Sequence, residues 1–125
     1  MPKAPRMPYQ LWLVAKRHQS HPEDALEEER VDGVRMMQAV VRAYDRFFGK
    51  RTAYVMGLMQ APSSDTRGVY HWRWEFLPID RSPDKIKYLA GSEMGMGAYI
   101  ADVLPEQTLE QLAPLIRQEW EQGSW

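Results

Sequence analysis

Residues 70–78, YHWRWEFLP, set large rings at every second position: Trp72, Trp74 and Phe76, with His71, Arg73 and Glu75 between them. Strand side chains alternate between faces, so this pattern demands a sheet with one aromatic wall and one polar face. A row of His, Arg and Glu can serve as an active-site row, a ligand-binding row, or the solvated side of an antiparallel sheet.

The neighbouring segments supply the rest of such a sheet and a helical layer. YQLWLVA, residues 9–15, reads as a first strand with Tyr9, Leu11, Leu13 and Ala15 on one face. Ser20 with Glu23 three later, Pro22 and a run of acids then signal a helix start. That helix is expected to reach Phe48, with Val34, Met37, Val41, Tyr44 and Phe48 as its core stripe, Val40 and Phe47 beside it, and Gly49 as its stop. Gly33 weakens it by roughly 1 kcal/mol relative to alanine. TAYVMGLM, residues 52–59, reads as a second strand, and APSSDTRG, residues 61–68, as the loose loop of a hairpin returning to the aromatic strand. Gly91, Gly95 and Gly97 interrupt the next segment, and the chain closes on a helix expected to bend or split near Pro114. The order strand, long helix, strand, strand, helix indicates an α+β domain on an antiparallel sheet, with residues 1–125 forming one domain.

Composition narrows the function classes. At 125 residues the chain can bury roughly two-thirds of its unfolded surface, enough for a real core. Sixteen basic against 17 acidic residues give a formal net charge of −1, so neither nucleic acid nor an anionic membrane is an expected partner. There is no cysteine, hence no disulfide, thiolate nucleophile or thiolate metal site, which suits a cytoplasmic protein. No apolar run approaches the ~20 residues of a membrane span, and MPKAPRMPYQ lacks the apolar centre of a signal peptide. Five Trp, six Tyr, three Phe and eight Met fit an aromatic core with Met filling its gaps.

Five segments, PYQLWLVAKRH, RAYDRFFG, AYVMGLMQAP, HWRWEFLP and KYLAGSEMGMGAYIADVLPE, occur in an order and spacing that resembles the C-terminal half of galactose-1-phosphate uridylyltransferases, in the histidine-triad superfamily. The resemblance runs from Pro8 to about Ile116, and KYLAGSE with Gly95 and Gly97 is its most specific part. It implies a histidine-triad-like fold and UMP exchange between UDP-glucose and galactose 1-phosphate through a uridylylated histidine. There a neutral imidazole attacks the α-phosphorus, splitting one transfer into two displacements. In the family that nucleophile lies in a His-Pro-His segment of the N-terminal half, and this chain has no such segment.

Its three histidines are His18, His21 and His71. His21 is expected to cap a helix, His18 to lie on the surface or in a loop, and His71 to hydrogen-bond across the sheet; no residue is assigned a catalytic role. Family members often carry a His-x-His pair on the aromatic strand and another histidine in the preceding one, in several cases holding a metal. Here those positions are His71, Arg73 and Met59. Arginine offers only donors and a thioether is a poor ligand for zinc or ferrous iron, so no metal and no other cofactor is expected. Arg73 is expected to pair with Glu75, with phosphate binding as the alternative.

Carried over by resemblance, Lys87, Ala90 and Glu93 of KYLAGSE contact sugar hydroxyls or phosphate, and with Arg73 and His71 they form the substrate-binding set. The alternative for this segment is a glycine-punctuated loop with a solvated Lys87–Glu93 pair. Tyr99 and Ile100 are expected to anchor it. Half of a two-half enzyme leaves an open sheet edge, which implies a homodimer or a separate N-terminal half as partner. The expected role is thus the sugar-binding and dimerising half of a hexose-1-phosphate uridylyltransferase-like protein, binding a sugar nucleotide or sugar phosphate and inactive alone. The alternative is a degenerate histidine-triad-like binding or interaction module without catalysis.

Overall fold

A computed structural model describes residues 1–64 and 68–123. The elements in chain order are β1 (Leu11–Val14), a 3-10 turn (Pro22–Asp24), α1 (Glu27–Phe48), β2 (Tyr54–Met59), β3 (Arg73–Pro78), β4 (Asp80–Ser82), β5 (Lys85–Ile86), α2 (Gly91–Met96) and α3 (Pro105–Gln122). β3 is central in a three-stranded antiparallel sheet of order β1-β3-β2, and β4 pairs with β5 in a small separate ribbon. The α+β class, with an antiparallel sheet, a long helix and a C-terminal helix, is as the sequence implied.

Register explains the alternation in β3. Leu11 and Met56 lie opposite Phe76, and Leu13 and Leu58 opposite Trp74, so these six share the face toward the helices. Trp12, Gly57 and Glu75 align on the other face, as do Val14, Met59 and Arg73. Tyr9, Leu11, Val40, Tyr44, Phe48, Phe76 and Leu112 form the core between sheet, α1 and α3. Tyr9 packs on Phe47 and Phe48 with ring centroids 4.8 and 5.5 Å away, and the Tyr44 hydroxyl donates to the Tyr9 carbonyl at 2.7 Å.

Several boundaries and roles differ from the sequence expectation, each for a local reason. Tyr9 has φ +60°, a left-handed conformation incompatible with a strand, so β1 begins at Leu11. The long helix starts at Glu27, not near Ser20, because the Glu29 carboxylate caps it by accepting the Leu26 N–H at 2.8 Å. Ahead of it the Asp24 carboxylate accepts the His21 backbone N–H at 3.1 Å, so His21 enters that turn through its backbone. Val34 is exposed, because the core stripe runs through Val40, Tyr44 and Phe48, with Ala39 and Ala43 admitting close approach. Gly49 ends α1 with φ +65°, as expected of a left-handed stop. β2 begins at Tyr54, two residues late, since the Thr52 N–H is taken by the Asp45 carboxylate at 2.8 Å. The hairpin from β2 to β3 is antiparallel as expected, but residues 65–67 of its loop lie outside the described residues. α3 starts on Pro105 and continues through Pro114 without splitting.

Candidate functional site

The glycine-punctuated segment after β5 is organised by one buried carboxylate. Glu93 Oε2 accepts the Ala90 N–H at 2.7 Å, while Oε1 accepts the Ile100 N–H at 3.0 Å and lies 2.9 Å from Lys87 Nζ. Lys87 Nζ also donates to the Ile100 carbonyl at 2.9 Å. α2 carries Glu93 back over its own N-terminus, and Gly97, at φ +67°, lets the chain turn so that Ile100 meets both side chains. The Ala90 and Ile100 N–H groups, and then the Lys87 ammonium, hold the Glu93 carboxyl down at about 2.

The Lys87 and Glu93 side chains are 5% and 0% exposed, so the pair is not the solvated one that the bland reading of this loop foresaw. Nor do these charges face outward: they clasp the segment from within. The residues presented to solvent include Ala90, Tyr88, Met94 and Tyr99. Ile100 anchors the segment through its backbone while its side chain is half-exposed.

On the sheet face away from the helices, Arg73 pairs with Glu75 through Nε at 2.9 Å and Nη2 at 2.8 Å, the pairing that its position implied. Its guanidinium lies 4.3 Å from the Trp12 ring centroid and 5.6 Å from that of Tyr70. Glu75 is buried, while Trp12 and Val14 on the same face are exposed, so the carboxylate lies beneath a partly solvated surface. Its second oxygen takes Arg6 Nη2 at 2.8 Å. Arg6 in turn lies 5.9 Å from the ring centroid of Tyr99, joining the sheet face to the glycine-rich segment.

Arg6, Trp12, Tyr70 and Tyr99 are thus members of the site that sequence reasoning left out or treated only as anchors. A carboxylate on an aromatic strand requires a counter-charge, which was a usable signal for Arg73. Nothing local marked Arg6, which lies 69 positions from Glu75 in a Pro-rich leader.

His71 precedes β3 and does not hydrogen-bond across the sheet through Nε2, which is buried without a partner among the described residues. Its ring lies 5.2 Å from that of His18. The register puts Met59 directly opposite Arg73, with His71 two residues earlier. A thioether and a guanidinium engaged with Glu75 do not suit a metal, and among the described residues no group of three or more His, Asp and Glu side chains could hold one. On the helix-facing side a separate open cavity of about 530 Å³, lined by Leu13, Met36, Trp74, Trp120, Glu29 and Asp32, contains none of the expected site residues. No helix is long and apolar enough to cross a membrane among the described residues.

No protein-family model matches the chain. A galactose-1-phosphate uridylyltransferase of Thermotoga maritima is 34% identical over 109 residues, which cover 86% of this chain and 34% of that protein. The protein of the same name from Schizosaccharomyces pombe is 30% identical over 112 residues, covering 86% of this chain and 30% of its own. A solved uridylyltransferase superposes with a TM-score of 0.85 at 26% identity, over 94% of this chain and 37% of its own. An ADP-glucose phosphorylase from Arabidopsis thaliana, solved with bound ADP-glucose, shares the fold at a TM-score of 0.76 and 22% identity, over 94% of this chain and 35% of its own. The chain therefore spans about a third of the length of the curated relatives that it matches.

Proposed function

From a chain homologous to galactose-1-phosphate uridylyltransferases over most of its own length, we propose a sugar-holding lobe of a hexose-1-phosphate uridylyltransferase-like protein. Its ligand is a sugar nucleotide or sugar phosphate. The observation that carries this reading is the Lys87–Glu93 clasp, which fixes the backbone at Ala90 and Ile100 while leaving Ala90 exposed. The Ala90 N–H and carbonyl are both taken within the segment, so the clasp offers a sugar a surface around Ala90 fixed in advance, at little entropic cost. In this reading Lys87 and Glu93 are positioning residues, Ala90 contacts the ligand, and Arg73 and His71 line the adjoining sheet face.

Transfer requires a nucleophile, and the only histidines are His18, His21 and His71, none in a His-Pro-His segment. The reading therefore makes residues 1–125 one domain that binds but does not transfer alone, the reactive imidazole coming from a separate N-terminal half. Incubation of the purified chain with labelled UDP-glucose, followed by calorimetry, tests this. Heat of binding without covalent label is the expected result. Label retained on the chain, at His71 or another histidine, would sink the claim of catalytic silence.

β2 favours a partner. It lies at the sheet edge, and Tyr54, Val55, Met56 and Leu58 are all exposed along it. A second reading, an interaction module of the same fold without ligand binding, rests on that strand. Self-association with no heat from UDP-glucose would select it.

A further inference from the structure

We infer that Arg6, in the Pro-rich leader, is the cation that contacts the phosphoryl group of the ligand. The inference rests on the reading of this lobe as a sugar-nucleotide or sugar-phosphate site. Three cations surround that site, and two are held chiefly by partners within the fold. Lys87, the cation that resemblance nominates for phosphate, is 5% exposed and committed to Glu93 and the Ile100 carbonyl. Arg73 spends Nε and Nη2 on Glu75, leaves Nη1 3.4 Å from the Tyr70 hydroxyl, and stacks on Trp12.

Arg6 differs in both respects. Its side chain is 45% exposed, and among the described residues its guanidinium is engaged only by Glu75, through Nη2, and by the ring of Tyr99. Nε and Nη1 keep donors for an anion. Glu75 balances one of the two guanidiniums, so the cluster of Arg6, Arg73 and Glu75 carries a net charge of +1. Guanidinium donors match phosphoryl oxygens in charge and geometry. The location suits the ligand as well: Tyr99 precedes Ile100, whose N–H and carbonyl are both held by the clasp. The backbone N–H of Arg6 is fixed by Gln10 Oε1 at 2.7 Å, and Gln10 is buried, so the leader is held in place before any ligand arrives.

The test titrates the full chain and its Arg6→Gln and Arg6→Lys variants with UDP-glucose, inorganic pyrophosphate and unphosphorylated galactose. Arg6→Gln is expected to weaken UDP-glucose and pyrophosphate tenfold or more, Arg6→Lys to weaken them less, and neither to change any affinity for galactose. In the unmutated chain the Arg6 Nε–H resonance is expected to move on adding pyrophosphate, a readout that does not depend on how a variant folds. UDP-glucose binding that is unchanged in Arg6→Gln, or an Arg6 resonance that stays still while others shift, overturns the role of Arg6 and leaves the lobe reading intact. Pyrophosphate binding through Arg6 without any UDP-glucose binding supports the anion site and overturns the sugar-nucleotide reading. A chain that binds neither phosphorylated probe overturns both.

Discussion

Lys87 Nζ and Glu93 Oε1 lie 2.9 Å apart with both side chains out of solvent, and between them they close the loop from β5 to residue 100. The pair holds backbone as well as charge: its removal releases the Ala90 and Ile100 N–H groups together with the Ile100 carbonyl.

Lys87→Met is therefore expected to destabilise the chain clearly, because it strands a buried carboxylate. The double variant Lys87→Met/Glu93→Gln is expected to recover part of that loss. Thermal unfolding of the three proteins checks it; a double variant less stable than Lys87→Met would contradict the buried-charge explanation.

Acid should weaken this clasp in a defined window. Glu93 titrates at about 2 in the folded chain against an ordinary 4.5, so the unfolded chain takes up its proton first as the pH falls. Its contribution is complete above about 4.5 and disappears as pH drops through about 2. Glu29, held down to about 2 chiefly by Arg17 and the Leu26 N–H, loses its contribution over the same range. Melting temperature against pH should thus fall between these limits, and Glu93→Gln should reduce the slope without abolishing it.

Tyr44→Phe removes the hydroxyl that holds the Tyr9 carbonyl at 2.7 Å, where the backbone stands at φ +60°. The expected cost is about 1–2 kcal/mol, from a lost buried hydrogen bond and an acceptor left without its donor. Denaturant titration measures it. An unchanged midpoint would mean that Tyr9 holds its left-handed turn by ring packing alone.

Thr108 is fully buried on α3, and its Oγ1 has no partner among the described residues. Thr108→Val replaces that hydroxyl by a methyl group of similar shape and is expected to stabilise the chain by about 1 kcal/mol. A loss of stability in the same titration would reveal a hydrogen bond to bound water.

Val55 is 58% exposed on edge strand β2. If β2 pairs with a second copy, light scattering of the unmutated chain gives the mass of a dimer and Val55→Lys returns it to a monomer, since a lysine blunts an edge strand. A mass unaffected by the substitution would move the interface elsewhere.

Much of the fold was legible because its signals are local. The period-two rings of β3 placed Trp74 and Phe76 on the helix-facing side, and Gly49 marked the end of α1. The start of α1 was misread for an equally physical reason: Ser20 with Glu23 has the spacing of a capping box, but Glu29 closes on Leu26 and also binds Arg17 and Gln19. Spacing alone cannot choose between two candidate boxes six residues apart when tertiary partners favour the second.

By itself the sequence determined the element types, the two faces of the central strand and the likeness of KYLAGSE to a sugar-nucleotide enzyme, all carried by period or by short motif. Tertiary structure decided where the charges go. It buried Lys87 against Glu93, and it brought Arg6 across 69 positions to share Glu75 with Arg73. A buried carboxylate must find counter-charge wherever the folded chain supplies it, and no periodicity in the sequence records which distant cation that is.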